Sequence, residues 1–443
     1  MRSKSPSHPV SGRVNSGPLR SLVLSGLLLA AVIAAAVPAR AQFPEYLLPP
    51  GQESGGSLRF GPGVTTIGDT TFISFTIEPE LAFGKLGVGL RIPLLFNTDT
   101  NQIRKVDWDS SRDYARLIRY LRWGVKRDRL YARIGELTNT QLGHGFVVYY
   151  YNNNVDLDYP KRGLQFDLDF GEFGFETLIG NLGRQELYGG RGYVRPLQIL
   201  DKPIPVIRNL TFGATWITDR DSRLSEPLNV VGLDIEQPLL HNDLIDLYLY
   251  LDWSNIADCY WQKYGHGFAY GVATDLRGIM GLFQVGAKFE MRNLSEGFRA
   301  GLIDPLYDIK KDEYMTGLAS QPATSGWIGE LVGTVIGRVS LRGRYYQVDE
   351  SSAGDQFLMH VDATRLFPMI SLQAFYTKQG IRTGSDIWKL NEDAMTVAEV
   401  GYRPYPFMSV LMRYTYSYVF DPVLGDYRTQ ERVEPRVEFG FSW

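Results

Sequence analysis

The last eleven residues, Val433 to Trp443, read V-E-P-R-V-E-F-G-F-S-W. Val433, Val437, Phe439, Phe441 and Trp443 fall on alternate positions, with Glu434, Arg436, Glu438, Gly440 and Ser442 between them and Pro435 breaking the apolar column once. Successive side chains of a strand point to opposite faces, so this segment offers one apolar and one polar face and ends on an aromatic residue. The same alternation recurs far upstream, where Ile73, Phe75, Ile77, Leu81 and Phe83 alternate with Ser74, Thr76, Glu78, Glu80 and Ala82. After Gly84-Lys85, Leu86, Val88, Leu90, Ile92 and Leu94 alternate with Gly87, Gly89 and Arg91. This pair reads as a hairpin of two strands, each near the roughly 9 to 11 residues that a tilted strand needs to cross a bilayer.

Comparable runs fill the chain: near 56–66, 114–125, 130–138, 163–170, 173–181, 187–196, 208–218, 228–236, 244–254, 266–276 and 281–291, then 327–336, 338–348, 356–366, 369–377, 394–402, 407–419 and 429–443. With the hairpin they predict twenty strands, and an even number of about 16 to 20 is expected. Links on one side are tight (Gly84-Lys85, Lys126–Arg129, Gly171-Glu172, Gly337, Phe367-Pro368, Arg403–Pro406), whereas those on the other are long (97–113, 139–162, 292–326, 378–393), with brief exceptions near 67–70 and 182–186. Short turns on one rim and long loops on the other mark an up-and-down barrel. Asp109-Ser110-Ser111 could instead cap a helix carrying Arg112, Arg116 and Arg119 on one face, against the strand preferred there. No 20- to 50-residue repeat suggests a propeller or solenoid.

The terminal stretch resembles the closing strand of bacterial outer-membrane β-barrels. That resemblance implies a porin-like transmembrane antiparallel up-and-down β-barrel, all-β, with Val437, Phe439, Phe441 and Trp443 as the signal read by the barrel-assembly machinery and Trp443 at the periplasmic rim. The start of the chain agrees. Residues 1–41 hold a basic region (Arg2, Lys4, Arg13, Arg20), an apolar run Leu22–Val37 and Ala39-Arg40-Ala41, the pattern of a cleaved signal peptide. Residues 42–55 read as a periplasmic lead-in and 56–443 as the barrel, in contact with outer-membrane lipid. Beyond Gln42 no apolar run is long enough for a spanning helix, which leaves a closed barrel as the way to cross. A mean hydropathy of −0.16 beside 26 Tyr fits a wide barrel with a wet interior and aromatic girdles.

Without the signal, 41 Lys and Arg face 49 Asp and Glu, so no basic surface for nucleic acid is expected. Cys259, the single cysteine, reads as a loop bystander, and no Cys/His cluster at ligand spacing points to a metal; no cofactor is implied. By strand phase, Arg91, Asp167, Asp169, Asp246, Asp252, Arg342 and Arg344 turn inward as candidate pore-lining charges. Tyr131–Glu176, which includes L-G-H-G-F-V-V-Y-Y-Y-N-N-N, resembles a segment of uncharacterised outer-membrane barrels of Gram-negative bacteria and implies location and fold only. Gly143-His144-Gly145-Phe146 recurs as Gly265-His266-Gly267-Phe268, and both histidines are expected in wet loops at the outer ends of strands, beside glycines that bend the chain.

About eight strands fill their own interior, whereas 16 to 18 leave an aqueous lumen, so a passive channel for small hydrophilic solutes is expected. Loops 139–162 and 292–326 are long enough to fold inward. The alternatives are a surface receptor or adhesin closed by its loops and, with no hydrolase signature motif present, an outer-membrane hydrolase using His144 or the His360–Asp362 pair.

Overall fold

The structure, a computed structural model, describes residues 54–441 apart from short stretches, the longest being 109–113, 156–160, 201–206 and 258–262. The expected signal peptide, most of the lead-in, Cys259 and Trp443 lie outside the described residues. Strands run in chain order as β1 (Ser54–Ile67), β2 (Thr70–Phe83), β3 (Leu86–Leu90 continued as Ile92–Asn97), β4 (Ile118–Trp123), β5 (Leu130–Gly135), β6 (Gly163–Asp169) and β7 (Phe173–Ile179). They continue as β8 (Leu187–Val194), β9 (Thr211–Asp219), β10 (Leu228–His241), β11 (Ile245–Ala257), β12 (Lys263–Ile279), β13 (Phe283–Leu294) and β14 (Thr324–Val335). The last are β15 (Val339–Val348), β16 (Asp355–Asp362), β17 (Ile370–Ile381), β18 (Ala394–Tyr405), β19 (Met408–Asp421) and β20 (Asp426–Phe441). All twenty expected segments appear as strands, and the one near 114–125 begins only at Ile118.

Each strand pairs antiparallel with its neighbours in the chain, and β1 pairs with β20 from Gly56↔Phe441 to Thr65↔Arg432, which closes the sheet. Closure leaves no edge, the condition for a sheet to sit in lipid. At a strand spacing of ~4.8 Å and a tilt of ~40°, twenty strands enclose a backbone cylinder about 40 Å across.

Alternation decides the two faces. On β11, Leu249, Leu251 and Trp253 are exposed on the outside while Tyr250, Asp252 and Ser254 are buried inside. On β20, Glu434 and Arg436 are buried between outward Val433 and Val437. Exposed rings gather near both rims: Phe83, Trp123, Phe170, Phe173, Tyr405 and Phe407 by the short turns, and Trp253, Phe268, Trp327 and Phe420 toward the other end. An apolar belt between aromatic girdles is the outer surface of an outer-membrane barrel, and that is where this chain resides.

The interior is polar enough to need internal pairing. Glu78, 1% exposed, accepts from Arg91 Nε at 2.6 Å and Arg436 Nη1 at 2.7 Å and faces Arg119 Nη1 at 3.5 Å, so charges from β2, β3, β4 and β20 interlock beside the closing seam. Leu331, 64% exposed on β14, belongs to the lipid face. Leu331→Arg is expected to lower stability by about 2–4 kcal/mol, read from the urea midpoint of the barrel folded into phosphatidylcholine vesicles. An unchanged midpoint would place that face outside hydrocarbon.

Candidate functional site

The lumen is occupied by two loops from the long-loop rim: the described residues of 136–155 and 161–162, between β5 and β6, and 295–323, between β13 and β14. The local sequence makes the first loop turn back on itself. Gly143 (φ 52°) and Gly145 (φ 83°) adopt left-handed backbone on either side of His144, a conformation costly for residues with a Cβ. A Cβ at Gly145 would also lie 2.7 Å from the Tyr149 ring.

His144 is thereby driven into the wall. Its Nδ1 lies 3.0 Å from Asp252 Oδ1 and its Nε2 3.1 Å from Glu236 Oε2, while its ring stacks on Tyr250 at 4.2 Å. Lys288 Nζ donates to the His144 carbonyl at 2.6 Å, and Gly143 N–H donates to Glu176 Oε2 at 2.8 Å. Strands β7, β10, β11 and β13 therefore all hold this one tip. Burial alone would pull the imidazolium pKa down, but the Asp252 and Glu236 carboxylates outweigh it and raise the pKa to about 9.

Beyond the tip, the two loops join. Gly301 N–H donates to the Phe146 carbonyl (2.7 Å), Ile303 N–H to Val147 (3.1 Å) and Tyr149 N–H to Ile303 (3.0 Å), forming a parallel bridge between Val148 and Ile303. Three consecutive tyrosines then diverge. Tyr149 Oη donates to Glu330 on β14 at 2.8 Å, the Tyr150 ring sits beneath Arg342 of β15 and edge-on to His360 of β16, and Tyr151 Oη donates to Asp308 of the second loop at 3.1 Å. Leu142, Phe146, Val147, Phe298, Leu302, Ile303, Met315 and Leu318 form an apolar cluster with inward Leu178, Ile217, Val230 and Ile256. A cluster of that size inside the barrel holds the loops as one packed plug.

The second loop carries the helix Tyr307–Leu318. Lysines fasten it together with the packed Tyr307, Tyr314, Met315 and Leu318. Lys311 Nζ lies 3.2 Å from Asp219 and also pairs with Asp221, Lys310 Nζ bonds Asp393 at 2.5 Å, and Tyr307 Oη donates to Asp219 at 2.9 Å.

The seven inward charges expected from strand phase do turn inward, but they do not converge. Arg91 bonds Glu78 and Glu136 beside the seam; Asp167 accepts from Lys126; Asp169 pairs with Arg195 and Asp246 with His241 and Arg277 at the short-turn rim. Asp252 holds His144, Arg342 bonds Glu330 at 2.6 Å, and Arg344 lies over the Tyr149 ring at 3.5 Å.

The two histidines part company. His144 is in a loop, though a buried one rather than a wet one, whereas His266 is not in a loop: it lies inside β12, paired with Asn255, on the outward phase shared by Phe268 and Tyr270. The reason is packing, because a Cβ on Gly267 would come within 2.4 Å of Phe298 and 2.9 Å of Phe146, so the second Gly-His-Gly-Phe is the wall seat of the plug. The copies meet through Phe146 and Gly267, not through their imidazoles. His360 is enclosed by Tyr150 and Phe375, and Asp362 accepts from Thr364 and Gln373.

Glu236, Tyr149–Tyr151 and the Lys310–Lys311 pair were not singled out by sequence reasoning. One signal pointed to the tyrosines: V-V-Y-Y-Y is too apolar for a loop left in water.

No protein-family model and no curated protein matches the chain. Among solved structures it is similar to the outer-membrane protein OprD of Pseudomonas aeruginosa, at 9% identity over 92% of this chain and 98% of that one, with a TM-score of 0.34. It is also similar to OccK9 (OpdG) of the same organism, at 13% identity over 88% and 99% with a TM-score of 0.33, and to OccK2 (OpdF) in complex with glucuronate, at 11% over 88% and 98% with 0.31. With scores at that level, the barrel assignment rests on the strand pairings described above.

A raised imidazole pKa has a definite sign in the linkage. The His144 clamp contributes fully below its ordinary value of 6.5 and is lost as pH climbs through about 9, so the loop loosens on the alkaline side. In detergent micelles the His144 ring resonances are expected to titrate near pH 9, and in Asp252→Asn to move back toward 6.5. A wild-type titration at or below 6.5 would show that the clamp does not form.

Proposed function

We propose that the protein is a porin-like channel for passive passage of small hydrophilic solutes across the outer membrane, with the two inward loops setting the size of what passes. One observation carries this reading: a twenty-strand wall lined with charges encloses loops that are fastened inside by hydrogen bonds and ion pairs, rather than laid across the mouth. Twenty strands are too many for wall side chains to fill the interior unaided. Arg91, Asp167, Asp169, Asp246, Asp252, Arg342 and Arg344 serve in this reading as wall charges that a solute meets on its way, and their mixed signs favour neutral or zwitterionic passage over bulk ion flow. Val437, Phe439, Phe441 and Trp443 act as the assembly signal.

The apolar cluster at the centre of the plug favours a second reading, a barrel held shut by its loops and used as a surface receptor or adhesin. Both readings predict different currents in a planar bilayer. The first expects stable single-channel steps from the refolded protein. Thr140 and Tyr151 already form an antiparallel bridge, so residues 141–150 can be replaced by an Asn-Gly turn without opening the loop's base. That replacement is expected to enlarge the step at least about two-fold. Absence of steps from well-folded wild-type protein, with steps only after the replacement, would favour the closed barrel; absence from both would rule out the channel.

A further inference from the structure

The wall at the outer ends of β17–β19 departs from the lipid-facing pattern. Phe375 stacks on Tyr150 and Gln379 bonds Asp304, so both point into the lumen, and Tyr376 and Lys378 take the opposite phase, out of the barrel. Lower down, that outward face is exposed, as at Ile370, Val400 and Met412. Higher up it is covered. Tyr376, Thr396 and Tyr416 stand opposite one another across the three strands and all are buried, and Lys378 beside them is only 2% exposed. A buried lysine on the lipid side of a barrel requires a protein cover that brings its ammonium a polar partner.

The cover is the link between β17 and β18, Arg382–Asp393. The Trp388 ring stacks on Tyr376 at 6.4 Å with the planes 16° apart, the Ile387 carbonyl accepts from Tyr376 Oη and the Leu390 carbonyl from Tyr418 Oη. Asn391 Oδ1 accepts from Lys378 Nζ. Tyr376 lies five residues before the outer end of β17 at Ile381, about 13 Å down the wall at ~3.4 Å per residue and a tilt of ~40°. The link is therefore a strap folded back over the outside of the barrel. Asp386 gathers its polar groups, accepting from the Arg382 and Thr383 N–H, the Thr383 hydroxyl and Lys389 Nζ. Trp388 keeps one side outward, 38% exposed, in the residue type that favours the membrane boundary.

The end of the strap turns the other way. The Asp393 carbonyl accepts from the Gln379 N–H, and its carboxylate reaches inward to Lys310 Nζ of the plug helix at 2.5 Å. Asn391, which holds Lys378 outside, also donates to Asp393 at 3.4 Å. Three residues thus join a contact on the outside of the wall to a fastening of the plug inside it.

We infer that Arg382–Asp393 is a lipid-contacting strap: Trp388 seats against outer-leaflet lipid, and that seat sets, through Asn391 and Asp393, how firmly Lys310 holds the plug. Lipid outside the barrel thereby favours the plugged arrangement within it. The inference does not depend on whether the barrel conducts.

Two measurements on the full-length barrel refolded into phosphatidylcholine vesicles test it, with heat-modifiable migration confirming that each variant is folded. The first reads the contact. The Trp388 emission, taken as wild type minus Trp388→Phe, is expected to fall at least about two-fold when the vesicles carry acyl chains brominated near the headgroup. The second reads the coupling by amide hydrogen exchange of the helix Tyr307–Leu318. Trp388→Ala and Asp393→Asn should each speed that exchange at least about five-fold, and the double variant should exchange no faster than the faster single one. Leu331→Ala, on another part of the lipid face, should leave it unchanged. An unquenched Trp388 would place the strap in water and overturn the lipid contact. Helix exchange unmoved by Trp388→Ala, or additive effects of the two substitutions, would overturn the coupling and leave the strap a surface ornament of the wall.

Discussion

Hydrogen-bond closure between β1 and β20 is the constraint on which the rest of the molecule depends. In hydrocarbon an unpaired N–H or C=O has no solvent to turn to, so the sheet must meet itself. The register Gly56↔Phe441 to Thr65↔Arg432 achieves this. Beside it the four-strand knot of Glu78, Arg91, Arg119 and Arg436 brings opposite charges together where two ends of the chain join. Removing one member of such a knot would strand buried charges, at a cost of roughly 3–5 kcal/mol for a buried pair.

Closing twenty strands creates a lumen that wall side chains cannot fill, and this sets the second requirement. The two loops meet it by building an apolar centre of their own around Phe146, Phe298 and Ile303, then binding to the wall through polar groups at their margins: His144 to Asp252 and Glu236, Tyr149 to Glu330, Lys311 to Asp219. The arrangement inverts the usual relation of core and surface. Apolar contacts hold the plug to itself and to a band of inward Leu, Ile and Val, while ion pairs decide where it is fastened. A fastening made of charges can respond to pH and to ions in a way that a packed apolar seam cannot.

Much of the fold was legible in the sequence because each strand must satisfy two environments at once. That demand prints an alternation such as Leu249-Tyr250-Leu251-Asp252-Trp253, which needs no knowledge of partners. The inward turn of Arg342 and Asp252 followed from the same phase. Partnership did not, because which acid faces which base depends on how loops cross the lumen, and loops carry no period. The Gly-His-Gly-Phe pair shows the limit well. One tetrapeptide serves as a buried loop tip and its repeat as a smooth stretch of wall, and only the seat that Gly267 offers to Phe146 and Phe298 relates them. The helix Tyr307–Leu318 was invisible for a related reason: its buried face mixes the charged Asp308, Lys310 and Lys311 with Tyr307, Tyr314, Met315 and Leu318, so charges interrupt the apolar stripe by which a helix is recognised.

The account stands on the two loops lying inside the barrel as one unit, and amide hydrogen exchange reads this most directly. The amides of Tyr149, Gly301 and Ile303 donate across the junction between the loops. They are predicted to exchange as slowly as those of the neighbouring wall, for example Glu330 and Arg344, and far more slowly than those of the exposed rim segment Thr383–Lys389. Exchange of Tyr149, Gly301 and Ile303 at the rate of that rim segment would contradict the plug and, with it, the proposed clamp and strap coupling.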